Sequence, residues 1–162
     1  MLVVVLSIGQ LFAQSNILDS IPHQTYQRKF TVHFPPNFST TQERPLVLNL
    51  HGGGGNMITA QGFSQLNPVS DRNDFLVAWP QGIGRAQTGG FTWADGRNTS
   101  ADRAGIDDIG FIDKLVDTLI NRYNVDTNKM YICGFSNGGF MVQRLACQLQ
   151  NRFAAMASLG SS

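Results

Sequence analysis

Cysteine is scarce in this chain, charge is thin and nearly balanced, and no apolar run reaches the length of a membrane-spanning helix. Two cysteines in 162 residues exclude a disulfide-stapled scaffold. Cys133 closes an apolar run and Cys147 lies late in the following helical segment. A helix of about ten residues would put them about 15 Å apart, which argues against a bond between them. Cys133 reads as a small core residue, and Cys147 as either that or one half of a bond to sequence elsewhere. Charged residues make up 14% of the chain, 12 Lys and Arg against 11 Asp and Glu, with no block of one sign. That balance excludes the electrostatic footprint of a nucleic-acid or anionic-membrane partner and leaves neutral or mixed substrates. Internal repeats and low-complexity tracts are absent too. The length and the 42% hydrophobic content suit one domain with one core.

What is present begins with an apolar amino terminus that stops at Ala13 and gives way to polar sequence. It reads as a secretory signal peptide over residues 1–13, with the domain from 14–162 exported to the extracellular space or periplasm. No Lys or Arg precedes Arg28, so the basic start of such a signal is missing and a buried strand is the alternative.

Further along, residues 25–34 alternate and stop at Pro35 and Pro36, as an early strand would. Leu46, Val47, Leu48, Asn49 and Leu50 form a compact strand that runs into His51 and the glycines 52–55. The spacing predicts a helix over 57–70, a buried strand over 75–79 stopped by Pro80, and a long glycine-rich loop over 81–104. Asp107 and Asp108 both read as capping acids for a helix over 109–123, where Ile109, Ile112, Leu115, Val116, Leu119 and Ile120 recur at helical spacing. A strand over 129–133, a helix over 138–148 and a strand beginning at 153 complete the alternation. Strands alternating with helices predict an α/β fold, a mostly parallel sheet with helices on both faces.

The chemistry centres on Gly134, Phe135, Ser136, Asn137 and Gly138. A Gly-x-Ser-x-Gly pattern between a buried strand and a helix is the nucleophile elbow of an α/β-hydrolase, a sharp turn that presents a serine hydroxyl. Acyl transfer also needs a base, a group that orients it, and donors aimed at the developing oxyanion. The Asn137 backbone N–H, at a helix start, supplies one such donor. The glycine run supplies the other, with Gly53 the first choice and Gly54 the second. No lysine follows the glycines in the Walker position, and no ribose-binding acid is in place, so a nucleotide loop is disfavoured. His51 reads as a brace for the loop rather than a base. His23 and His33 read as surface or strand residues, and Asp126 as turn chemistry. Trp93, with Asp95, Gly96 and Arg97, is either a hairpin tip or part of a substrate-facing lid, which makes Trp93 the candidate substrate contact.

With the elbow, His51 and Gly52 after Leu50, the strand ending at Trp79 and Pro80, Trp93, and Asp107 to Ile112, the chain resembles the secreted polyhydroxybutyrate depolymerase and feruloyl or acetylxylan esterase group of the α/β-hydrolases. The resemblance covers about residues 26–162. It implies hydrolysis of a carboxylic ester by a Ser-Asp-His triad without metal or organic cofactor, releasing a hydroxycinnamic acid, acetate or hydroxyacid from a polymer. Ser136 would be the nucleophile, with Asn137 and the loop after His51 as the oxyanion hole.

In that superfamily the triad runs Ser, then Asp or Glu, then His along the chain. None of residues 137–162 is Asp, Glu or His. The expectation is an amino-terminal fragment that stops after about the sixth strand of the sheet, with an uncovered sheet edge and little activity of its own. A serine peptidase of the prolyl oligopeptidase type shares the elbow but would carry a preceding propeller domain. A non-catalytic carbohydrate-binding protein on the same fold is the third reading.

Overall fold

Apolar strands that alternate with amphipathic helices can bury both of their faces only by lying side by side between two helical layers, and this is the arrangement found. The computed structural model describes residues 11–12, 15–84 and 90–161. In chain order the elements are β1 (Leu11–Phe12), β2 (Ser15–His23), β3 (Tyr26–Phe34), β4 (Phe38–Ser39), β5 (Arg44–Leu50), α1 (Met57–Ser64), α2 (Leu66–Asn73), β6 (Leu76–Pro80), β7 (Ile83–Gly84), β8 (Phe91–Thr92), α3 (Ser100–Arg103), α4 (Asp108–Tyr123), β9 (Val125–Phe135), α5 (Asn137–Gln148) and β10 (Ala155–Leu159). Six strands form the main sheet in the order β10-β9-β5-β6-β3-β2. Its β10, β9, β5 and β6 are parallel neighbours, while β3 and β2 join antiparallel at one side.

The period-two pattern of β5 sorts its side chains between the layers. Leu46, Leu48 and Leu50 enter the main core with Phe111, Ile112 and Leu115 of α4 and Met141, Val142 and Leu145 of α5. Val47 points to the other face, where Ala60, Leu66, Val77 and Trp79 cluster under α1 and α2. The expected fold class holds, with helices on both faces.

Three local expectations change. The strand Ser15–His23 is not visible in the sequence, because Ile17, Leu18 and Ile21 do not alternate and Pro22 interrupts, yet it pairs with β3 along its whole length. The helix expected over 57–70 divides at Gln65, which adopts φ 52°. A continuous helix would need an N–H at position 68, where proline has none; restarting at Leu66 places Pro68 in a first turn whose N–H groups need no intrahelical partner. The loop 81–104 contains a short hairpin, β7 with β8, and the capped helix α3. Of the residues read as a signal peptide only Leu11 and Phe12 are described, and they pair with β4; the remainder, with the cleavage site at Ala13, lies outside the described residues.

The two acids before α4 part company. Asp107 caps the helix, its carboxylate accepting from Gly110 N at 2.9 Å. Asp108, read as a second capping acid, is instead fully buried. Arg28 Nη2 of β3 donates to it at 2.5 Å and Ala94 N at 2.7 Å. The guanidinium lies over the Phe111 ring, 3.9 Å from its centroid. Burial pushes the Asp108 carboxyl above its ordinary range, against the pull of Arg28 and the two hydrogen bonds. His33 is buried as well, held by Asn16 of β2 and Asp71 of α2 at 3.0 and 2.9 Å. Both cysteines are free; Cys133 is half-buried rather than fully in the core, and Cys147 is exposed.

Breaking one side of a buried ion pair leaves the other charge uncompensated. Asp108→Ala is therefore expected to lower the unfolding free energy by about 3–5 kcal/mol, seen as a lower urea midpoint. Asp107→Ala, which removes an exposed cap, should cost only about 1 kcal/mol.

Candidate active site

Strand β9 ends at Phe135 and α5 begins at Asn137, so the chain reverses on a single residue. Ser136 sits there at φ 52° and ψ −119°, a conformation that strains a residue bearing a Cβ. Its N–H donates to Leu159 O of β10 at 2.8 Å, and Phe140 N donates to its carbonyl at 3.0 Å. The side chain is half-buried, not enclosed in the core. The bend is possible because α5 passes very close beneath it. A Cβ on Gly138 would lie 2.5 Å from the carbonyl oxygens of Leu50 and His51, and one on Gly134 would lie 2.5 Å from the Gly138 carbonyl oxygen.

The glycine run continues directly from β5 and lies beside the serine. A Cβ on Gly52 would sit 3.6 Å from that of Ser136. Of the two candidate donors in the run, Gly54 has its N–H committed to Phe91 O at 2.8 Å. Gly53 is exposed at the tip of the turn. A cavity of about 490 Å³, lined by Gly52, Gly53, Ala60, Phe63, Cys133 and Phe135 among others, opens beside the loop. The Cys133 thiol is raised above its ordinary pKa by burial, which keeps it protonated.

His51 braces the loop. Gly82 N donates to its Nε2 at 3.0 Å, which requires that nitrogen to be unprotonated, so Nδ1 carries the hydrogen and donates to Gly52 O at 2.9 Å. Burial lowers the His51 pKa from 6.5 to about 4; the Gly52 bond opposes this and the Arg28 charge adds to it. With His33 engaged by Asn16 and Asp71, and His23 by Asp107, none of the three histidines is placed as a base for Ser136. Among the described residues no group of three His, Cys, Asp or Glu side chains is arranged to hold a metal.

Trp93 departs from its expected role as substrate contact. It is 0% exposed, and its Nε1 donates to His51 O at 2.9 Å, with the ring tilted against the imidazole at 4.9 Å. The side chain of Asn137 was not anticipated at all. It is buried and bonded to Thr92, Trp93 and Asp95. Those partners lie more than forty positions away, so no local pattern in the sequence marks them.

Two outcomes follow from this packing. Gly138→Ala drives a methyl group into two main-chain carbonyls and is expected to destabilise the fold by about 1–3 kcal/mol, measured by chemical denaturation. For His51, the unfolded chain binds more protons than the folded one between the ordinary value of 6.5 and about 4, so stability falls as pH drops through that window. The loss should reach about 3 kcal/mol and be absent in His51→Gln, as pH-dependent urea midpoints would show.

The prolyl oligopeptidase family matches residues 61–161. A bifunctional acetylxylan esterase/xylanase, XynS20E of Neocallimastix patriciarum, is 30% identical over 130 residues, covering 80% of this chain and 17% of that protein. A probable feruloyl esterase C of Aspergillus niger is 30% identical over 138 residues, covering 85% of this chain and 47% of that protein. Among solved structures, the acetyl xylan esterase from Aspergillus awamori superposes with a TM-score of 0.70 at 21% identity, over 88% of this chain and 50% of that one; this likeness is one of fold. The chain spans less than half the length of these two curated relatives. Matched by that family over more than half of its residues, the chain belongs to the prolyl oligopeptidase family of α/β-hydrolases, and it is similar to proteins named as feruloyl and acetylxylan esterases.

Proposed function

We propose that the protein is a serine carboxylic-ester hydrolase acting on esters borne by a polymer, either feruloyl or acetyl groups on plant polysaccharide or the linkages of a polyhydroxyalkanoate. The observation that carries this reading is Ser136 at a strained strand-to-helix turn, half-exposed, with the loop after β5 packed beside it. The names of the relatives support the ester class.

In this mechanism Ser136 Oγ attacks the ester carbonyl carbon and gives up its proton to a base. The carbonyl oxygen becomes an oxyanion, which accepts from the N–H groups of Asn137 and Gly53. Collapse of the tetrahedral intermediate breaks the bond to the alcohol oxygen, which leaves with the proton, and water then hydrolyses the acyl-enzyme. Neutral His51 keeps the donor loop in place without exchanging protons at working pH. The acid and base of the triad come from parts of the protein outside this stretch, in keeping with how little of each relative it spans. Export forms part of the proposal, resting on the apolar start of the sequence. Among the described residues no helix is long and apolar enough to cross a membrane.

The family match favours a second reading, hydrolysis of a peptide bond by the same serine. Comparing p-nitrophenyl acetate with a peptide anilide separates the two.

The whole protein treated with a fluorophosphonate should carry one adduct, on Ser136, by peptide mapping. Ser136→Ala should abolish it and lower kcat for the ester by about 10⁶-fold. An adduct on any other residue overturns the assignment.

A further inference from the structure

We propose that the side chains of Asn137, Asp95 and Trp93 are positioning residues that hold the two oxyanion donors, the elbow amide and the loop after His51, in mutual register. The proposal rests on the hydrolase reading for the existence of an oxyanion.

The Asn137 side chain uses both of its ends. Its Oδ1 accepts from Trp93 N at 2.8 Å and from Thr92 Oγ1 at 3.0 Å, while its Nδ2 donates to Asp95 Oδ2 at 2.6 Å and to Trp93 O at 3.3 Å. A backbone N–H can only donate and an ionised carboxylate can only accept, so these partners decide which end of the amide is which. The first residue of α5, the one whose N–H faces the oxyanion, cannot turn without breaking four hydrogen bonds in a site closed to water.

The same short segment grips the other donor. Trp93 Nε1 donates to the carbonyl of His51, the residue from which the glycine loop departs. One run of chain, 92–95, therefore holds the residue after the nucleophile on one side and the residue before the donor loop on the other. It is anchored from behind by Asp108, which accepts from Ala94 N, and by Arg144 of α5, whose Nη1 donates to Ala94 O at 2.5 Å. Asp95 pairs with Arg97 at 2.8 Å, and that guanidinium lies 3.2 Å from the centroid of the Phe140 ring on α5.

Trp93 is fully buried and Asp95 and Asn137 are 6% exposed, so none of these side chains is presented to substrate. Their action passes through two backbone donors. Such donors stabilise an oxyanion only when both converge on it at hydrogen-bond distance, and a displacement of about 1 Å costs about 100-fold in rate. A brace of this kind should show in kcat and leave KM alone.

The test uses the whole protein, following the rate of phosphonylation of Ser136 by a fluorophosphonate together with kcat and KM for p-nitrophenyl acetate. Asn137→Asp sets a second carboxylate against Asp95. Arg97, Arg144, Asp102, Arg28 with Asp108, and neutral His51 are the other charged or titratable groups around it. This variant should lower phosphonylation and kcat about 100-fold, with KM unchanged within about threefold. The swapped pair, Asn137→Asp with Asp95→Asn, restores a donor facing an acceptor across that one contact but gives up the bond to Trp93 O and the Arg97 bonds to Asp95, so it should recover part of the loss, to within about tenfold of the parent in both rates. Trp93→Phe keeps an aromatic ring, removes the N–H to His51, and should lower kcat about tenfold; it decides the matter alone if Asn137→Asp does not fold. A swapped pair as slow as Asn137→Asp, a loss expressed in KM, or variants as fast as the parent would overturn the proposal. A parent protein that is phosphonylated on Ser136 but cleaves no ester would refute the ester reading, while the phosphonylation series would still decide the positioning role. A parent without reaction at Ser136 would end both.

Discussion

The close approach of the first turn of α5 to the ends of β5 and β9 is the contact on which the rest of the site depends. Gly138 lies against the carbonyls of Leu50 and His51, and Gly134 against Gly138, at separations that no side-chain carbon could share. Because these are backbone contacts, the serine and the glycine loop cannot move independently. Ser136 is held in its strained conformation by the hydrogen bond to Leu159 O and by helix formation immediately after it. Strain of this kind persists only where the surrounding structure over-determines it.

Around that contact lies a strap, residues 92–95, whose polar side chains Thr92 and Asp95 are buried. Its partners come from three directions: Asn137 and Arg144 on α5, Asp108 at the start of α4, and the carbonyl of His51. Arg28, two strands away from β5, contributes by holding Asp108 in the position that receives Ala94 N. Buried polar networks of this sort are stiff when satisfied and costly when one member is lost. That explains why Thr92 and Asp95, polar residues in an irregular segment, are as buried as the core beside them.

Trp93 with Asp95, Gly96 and Arg97 reads in the sequence as a hairpin tip or part of a lid; the short hairpin lies just before them, and the Trp93 segment is a buried brace. The misreading has a physical source. Trp93, Asp95 and Asn137 are ordinary residues locally, and their meaning comes from hydrogen bonds that span more than forty positions. The same holds for Asp108, a capping residue by its spacing and an ion-pair partner by its burial. The strand Ser15–His23 is not legible in the sequence because Ile21 alone of its nine residues is buried, which leaves no apolar alternation to see. By contrast, β5 and α4 carry their apolar period in the sequence itself, since each is buried on a face that recurs every two or every three to four residues, and β6 shows as an unbroken apolar run because all of it is buried.

The sequence by itself determined the class of fold, the sharp strand-to-helix turn at Ser136, the glycine loop that follows β5 and the bracing role of His51, because each follows from local order: a buried strand, a glycine-framed turn and a helix, in sequence. It also showed that no acid or histidine follows the serine within residues 137–162. Only the tertiary structure decided that the Gly54 amide is committed to Phe91, that Trp93 is a buried clamp, and that Asp108 answers Arg28. Those outcomes depend on which distant chain segments meet at the carboxyl edge of the sheet, and burial there turns otherwise unremarkable polar residues into obligatory partners.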